Sequence, residues 1–154
     1  MIICEDTRQQ TGKHDLKHEY FAAHGIQVVR SKLYVGDYSL LTDQRVCIDT
    51  KMGLGELVSD CGSQHARFRD ELIRAQAAGI RLVILTEDPK VRTLRQVFDW
   101  QNPQLVMHPK AMTGKRLYEI VRTMQLRYGA EFLFCHPNST GRIIVELLGG
   151  NDGK

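Results

Sequence analysis

Long apolar runs are missing from this chain of 154 residues. Nowhere do about 18 such residues follow one another, so no membrane span is expected. The opening Met1-Ile2-Ile3-Cys4 passes at once into charged residues and reads as a strand, not as a signal peptide. Cysteine is sparse and unpaired in sequence. Cys4, Cys47, Cys61 and Cys135 form no C-x-x-C motif, and Cys4, Cys47 and Cys135 sit in apolar runs, which fits buried reduced thiols in a cytoplasmic protein. Cys61 and His65 could begin a zinc site, but no second ligand pair is spaced to complete one. His14 and His18, four apart, would share a helix face, and without further ligands they are expected on an exposed polar face. A phosphate loop is lacking too. Met112-Thr113-Gly114-Lys115 has neither the upstream glycine nor a Ser or Thr after the lysine, so no nucleotide cofactor is expected.

What remains is an ordinary globular composition, 42% hydrophobic and 25% charged. No internal repeat or linker divides the chain, so one domain is expected over residues 1–148, with a frayed tail at 149–154. The formal charge of +3 permits nucleic-acid binding without demanding it.

Hydrophobic periodicity lays out alternating elements. Strands are expected at residues 2–4, 27–30, 38–41, 46–50, 81–86 and 131–135, the third and fourth forming a hairpin around 42–45. The run at 81–86 is apolar and β-branched at its centre, as a buried parallel strand should be. Helices are expected at 13–24, with Leu16, Tyr20 and Ala23 on one face, at 54–60, and at 65–78, where Phe68, Leu72 and Ala75 align. Two more follow at 113–128, through Leu117, Ile120, Val121 and Met124, and at 139–148. Residues 88–112 read as a long loop with a short helix near 94–98, in which Trp100 is expected to cap the core. Strands followed by helices with short links imply an α/β three-layer fold.

The chemistry gathers in Val46-Cys47-Ile48-Asp49-Thr50-Lys51 and the preceding Gly36-Asp37-Tyr38. A strand has period two, so Asp49 and Lys51 project from one face while Ile48 and Thr50 project from the other. Asp37 ends the preceding extended segment and can turn back toward that face. Two carboxylates and an ammonium would then converge, which suits metal-dependent phosphodiester hydrolysis: the carboxylates hold Mg2+ or Mn2+, and the lysine orients the attacking water. Arg92, Arg95, Lys110, Lys115 and Arg116 make the densest basic region, read either as a phosphate-tracking surface or as a solvated charged face.

The pattern D…(D/E)-x-K resembles the PD-(D/E)XK nuclease superfamily. Within it, Gly36-Asp37 followed by Ile48-Asp49-Thr50-Lys51 is similar to the GD…(V/I)ERK signature of XPF-type structure-specific endonucleases. The opening Cys4-Glu5-Asp6-Thr7-Arg8-Gln9 resembles that family's V-D-x-R-E. Arg67-Phe68-Arg69-Asp70-Glu71 sits where the family starts a helix, and Leu82–Glu87 resembles its core strand. Asp49 stands for the family's glutamate, Thr50 for its arginine and Gln9 for a further glutamate, while Glu56 lies near the aspartate that follows ERK.

The resemblance implies a restriction-endonuclease-like fold, with a central mixed sheet flanked by helices, and a Mg2+-dependent DNA endonuclease acting on branched or flapped DNA. It implies Asp37, Asp49, Lys51 and Asp6 as catalytic residues, with Asp37, Asp49 and the Thr50 carbonyl as metal ligands. Arg8, Arg67, Glu71, Lys110, Lys115 and Arg116 would contact or support the substrate. Bacterial or phage origin, and work on recombination or replication intermediates, are implied with it. So is pairing with a second subunit through the helices at 113–128 and 139–148, with Leu147 and Leu148 as apolar anchors; because closed two-fold pairing is the commonest oligomer, a homodimer is expected ahead of a separate partner. A non-catalytic scaffold of the same fold and a Holliday-junction resolvase are the competing readings. The intact D, D, K set argues against the scaffold.

Overall fold

The structure, a computed structural model, describes residues 1–149. Six strands form one mixed sheet: β1 (Ile2–Glu5), β2 (Gln27–Arg30), β3 (Tyr38–Leu40), β4 (Val46–Lys51), β5 (Arg81–Glu87) and β6 (Glu131–Cys135). Their spatial order is β2-β1-β3-β4-β5-β6. β4, β5 and β6 run parallel, as do β1 and β2, and the short β3 joins the two halves through antiparallel pairs with β1 and β4. The β3–β4 hairpin sets Tyr38 against Ile48 and Ser39 against Cys47, so the residues flanking that register, Asp37 and Asp49, come face to face.

Helices α1 (Asp15–Ala23), α2 (Leu54–Cys61), α3 (His65–Ala77), α4 (Leu94–Phe98), α5 (Gly114–Tyr128) and α6 (Thr140–Gly149) cover both faces. Strand alternation divides the core. Cys47, Leu82, Ile84, Phe132 and Phe134 pack on one side with Leu57, Phe68, Leu72, Leu117 and Val121 from α2, α3 and α5. Ile3, Tyr38, Ile48, Val83 and Leu85 pack on the other with Phe21 of α1 and Ile144 of α6. Each fully buried Leu, Ile or Phe contributes about 1.5–3 kcal/mol by leaving water, so both helical layers are held by the sheet.

Ends of helices follow local chemistry. Thr113 caps α5 by accepting from the Arg116 amide, and Gly129 closes it at φ +69°. Thr93 and Gln96 form a capping box that lets the short α4 stand. The 88–112 segment holds a further 3₁₀ turn at Pro103–Val106 that periodicity does not reveal. Trp100 packs, half-buried, against the first core cluster.

Helix α1 departs from the expected phase. Leu16 is 53% exposed and Ala23 is exposed, whereas Lys17 and Phe21 are buried. Phe21 packs in the second core cluster and Lys17, one turn before it, lies 3.0 Å from the buried Glu87 of β5, so the inner stripe runs through these two and turns Leu16 outward. His14 is buried too, and His18 Nε2 sits 2.7 Å from Glu5 Oε2, so this pair does not form an exposed polar face. Leu148 lies in the second core cluster and is no free anchor for a partner, while Leu147 packs half-buried beside it. Gly149 is the last residue of α6, and residues 150–154 of the expected tail lie outside the described residues. All four cysteines are buried free thiols.

Candidate active site

Position 36 must be glycine for the site to form. Its φ is +74°, and a Cβ there would stand 3.1 Å from the Ile48 carbonyl oxygen and 3.3 Å from Cys47 Cβ. That close approach presses the 36–37 turn onto β4. The Asp37 amide then donates to the Ile48 carbonyl at 2.7 Å, and the Asp6 amide donates to the Asp37 carbonyl at 2.8 Å. The Asp37 side chain is fixed in turn: Oδ2 accepts from the Thr50 amide at 2.8 Å and from the Thr50 hydroxyl at 3.1 Å. Thr50 therefore orients the first carboxylate, which its position in the D-x-K triplet alone does not reveal.

Asp49 and Lys51 share the α2–α3 side of β4, as their spacing predicts. Lys51 Nζ lies 3.0 Å from Asp49 Oδ2 and 2.5 Å from Asp60 Oδ2, and 5.1 Å from the centre of the Phe68 ring. Burial alone would lower the Lys51 pKa, but the charges of Asp49 and Asp60 outweigh it and hold the ammonium firmly protonated. Asp60, from α2, is a residue the sequence reading missed. No short motif marks it, because its link to Lys51 depends on how α2 folds back over the strand end.

A third carboxylate joins the cluster from α3. Glu71 Oε1 accepts from the Gly36 amide at 2.9 Å. Burial first, and then the neighbouring charge of Asp49, push its pKa up to about 7. Burial and the charge of Asp49 likewise hold the Asp37 carboxyl well above the usual carboxylate range, against the opposing hydrogen bond from Thr50. Asp49 Oδ2 is sealed from solvent and has no hydrogen-bond donor beyond its ion contact with Lys51.

Asp6 is differently placed. It is 1% exposed and both oxygens are taken, Oδ1 by the Leu33 amide at 2.8 Å and Oδ2 by Arg8 Nε at 2.6 Å. Burial raises its pKa, but those hydrogen bonds more than reverse the effect and leave it below the ordinary value. Asp6 thus ties the β1 end to the 31–33 loop and aims Arg8.

These groups line one cleft of about 680 Å3. Its floor holds Asp37, Asp49, Thr50, Lys51 and Glu71; Arg8 and Lys13 stand on one segment of its wall and Arg67 and Arg74 on α3. Arg74 also lies over the ring of Tyr34, which is 57% exposed. Acidic floor and basic rim together suit a polyanion whose reacting phosphate is brought to a cation.

Among the described residues, no three or more His, Cys, Asp or Glu side chains are arranged to enclose an ion by themselves. Crowded carboxylates, with the pKa values of Asp37 and Glu71 raised and Asp49 Oδ2 met by Lys51 alone, nonetheless make a site short of positive charge. Mg2+ is commonly held by one or two carboxylates, with water and substrate phosphate completing its shell, so the donor set fits. Of the Cys61–His65 pair, Cys61 is buried and His65 exposed, and among the described residues no further ligands gather with them to enclose an ion.

Lys110 and Arg116 are not part of this cleft. They line a second cavity of about 620 Å3 with Ser59, Ser63 and Thr113, while Lys115 is exposed outside both. Helix α2 is the ridge between the cavities: Glu56 and Asp60 face the acidic cleft, and Gly55, Val58 and Ser59 face the basic one.

The ERCC4 domain model matches residues 6–147 of the chain. Among solved structures, XPF from Aeropyrum pernix is similar at 19% identity with a TM-score of 0.66, over 100% of this chain and 63% of that one. The structure titled as the same protein in complex with DNA is similar at 19% identity and TM-score 0.66, over 96% of this chain and 62% of that one. The chain thus spans less than two thirds of the length of these structures, and at that identity the likeness shows the fold. No curated protein matches.

Proposed function

The chain belongs to the ERCC4 domain family, and from that premise we propose that it is a metal-dependent DNA endonuclease acting on branched or flapped DNA. One observation carries the reading: Lys51 and Asp49 stand 3.0 Å apart on β4 against Asp37 and Glu71, at the floor of a cleft rimmed by cations. The DNA complex of the Aeropyrum pernix XPF supports the choice of polymer. Among the described residues no helix is long and apolar enough to cross a membrane.

Asp37 and Asp49 would hold Mg2+ or Mn2+, with the Thr50 carbonyl as a further donor. A bound divalent ion would polarise the scissile phosphate and lower the pKa of water beside it. The chain's own residues then divide the remaining work. Thr50 keeps Asp37 turned inward. Lys51, locked between Asp49 and Asp60, cannot act as a base in its protonated state; it donates hydrogen bonds to the attacking water and offsets charge building on the phosphate. Glu71 adds a third carboxylate to the floor, held by the Gly36 amide at 2.9 Å and set beside Asp49. Arg8, Lys13, Arg67 and Arg74 hold flanking phosphates in register. Pairing as a homodimer, or with a separate subunit, fits the few phosphate contacts that one such domain offers.

The test is incubation with Mg2+ or Mn2+ and a panel of flap, fork, junction and linear DNAs. Cleavage of branched substrates by the wild type, and none by Asp49→Asn of unchanged circular dichroism, is expected. Equal cleavage by both proteins overturns the site assignment, and no cleavage of any DNA overturns the enzyme.

A further inference from the structure

His14 is a cleft residue that the chemistry above leaves unused. It stands at the N-terminal boundary of α1, only 7% exposed, yet it lines the cleft beside Arg8, Gln10 and Lys13. Its Nδ1 lies 3.1 Å from Lys17 Nζ. Lys17 is held by Glu87 at 3.0 Å, and the same Glu87 oxygen accepts from the Thr140 hydroxyl at 2.8 Å. This chain of groups is buried throughout, with Lys17 at 3% and Thr140 at 0% exposure.

The relay fixes the ring's tautomer. An ammonium has no lone pair, so Lys17 donates and Nδ1 accepts. The ring proton then sits on Nε2, which has no hydrogen-bond partner among the described residues and is not among the polar atoms sealed from solvent. Burial, and then the charge of Lys17, hold the His14 pKa below that of ordinary histidine; His18 adds to the lowering, while Glu5 and Glu87 oppose it. A neutral ring of this kind offers a hydrogen bond but does not serve as an acid.

We infer that His14 is a substrate contact, whose Nε2–H donates to a phosphate oxygen of the DNA along the cleft wall formed by residues 8–14, with Lys17 and Glu87 as the positioning residues behind it. The inference rests on DNA being the substrate. It explains why α1 gives its buried face to Lys17 and His14 and leaves Leu16 in solvent. Arg8 and Lys13 mark the same wall as a phosphate path, and a donor braced by Lys17 beside them fixes register along it.

A neutral donor differs measurably from the cations around it. It adds affinity without displacing a condensed counterion, so its removal leaves the salt dependence of binding unchanged. Binding of a labelled flap DNA is measured by anisotropy in Ca2+, across a salt series, for wild type, His14→Ala, His14→Gln and Lys13→Ala. His14→Ala is expected to weaken binding about tenfold at an unaltered salt slope. His14→Gln, which restores an amide donor, is expected to recover most of it, and Lys13→Ala to reduce the slope by about one. Wild-type affinity in His14→Ala overturns the contact, and so does a slope that falls with the loss of His14, because the ring would then be cationic. Failure of the wild type to bind any DNA overturns the nuclease reading and the contact with it. Ring nitrogen NMR on the wild type decides the point without a variant: a protonated Nε2 whose resonance moves on adding DNA is expected, and a proton on Nδ1 or an unmoved resonance overturns the proposal.

Discussion

Replacing Glu71 by Gln should make the metal-free protein more stable while weakening the site. In the fold the Glu71 carboxyl titrates near 7 against an ordinary 4.5. A carboxyl raised in the folded state binds its proton more tightly there than in the unfolded chain. Its favourable contribution is therefore complete below about pH 4.5 and is lost as pH rises through about 7. The shift of 7 − 4.5 = 2.5 units amounts to about 3 kcal/mol at 1.36 kcal/mol per unit. Glutamine keeps the Oε1 acceptor that the Gly36 amide uses at 2.9 Å and removes only the charge. In EDTA at about pH 8, Glu71→Gln should melt roughly 6–12 °C above the wild type, from about 2–4 °C per kcal/mol at this size. At about pH 4 the two should coincide. Mg2+ should raise the wild-type melting temperature more than the variant's, because the ion relieves the repulsion that glutamine has already removed. Thermal melts at both pH values, with and without metal, check this. A variant no more stable than the wild type at pH 8 would refute the claim that these carboxylates are held together against their mutual repulsion.

Lys51→Ala should lose most cleavage yet still bind Mn2+, measured by calorimetry, because the lysine is no ligand; loss of binding would show that it shapes the carboxylates instead. Changing Lys110 and Arg116 together to Ala should lower the salt slope of DNA binding by about two, whereas Lys115→Ala, outside both cavities, should change it less. Gly36→Ala should cost about 2 kcal/mol or more in urea denaturation, from the left-handed backbone and the contact at 3.1 Å with the Ile48 carbonyl. An unaffected midpoint would mean that the turn is free to relax.

Much of this was legible because it is local. The period-two rule placed Asp49 and Lys51 on one face, and helical spacing placed Phe68, Leu72 and Ala75 in the core. Asp37 was found because it ends an extended segment and can turn back toward that face, and because Gly36-Asp37 resembles the GD of the family signature. What escaped was set by tertiary pairing. Asp60 reaches Lys51 only because α2 folds back over the end of β4, and Lys17 pairs with Glu87 on a strand three places later in the chain order than β2. The amphipathic pattern of α1 misled for the same reason. A buried ion pair reads as polar in any hydrophobicity count, so Leu16 and Ala23 looked like the inner face with Tyr20, whereas Tyr20 packs half-buried and His14, Lys17 and Phe21 are the buried residues.

The carboxyl-terminal ends of the parallel strands explain why these outliers converge. Open α/β sheets bind ligands beyond those ends, where loops and helix starts leave a crevice. Here β1 ends in Glu5 with Asp6 next after it, β4 in Asp49–Lys51 and β5 in Glu87. Alternation sends Asp49 and Lys51 toward α2 and α3, and sends Glu5 toward α1, where Tyr38 donates to it at 2.7 Å. Both faces of one sheet end thus carry buried charge, and each helical layer must supply countercharge: Lys51 is shared with Asp60 on one side, and Lys17 meets Glu87 on the other. His14 stands at the edge around which the two networks meet. A strand edge this charged would be a liability in a purely structural domain, because each pair buries ions at a desolvation cost that apolar residues of similar volume avoid. Retaining it at the mouth of a cation-rimmed cleft is the arrangement expected where the charge is used on a bound polyanion.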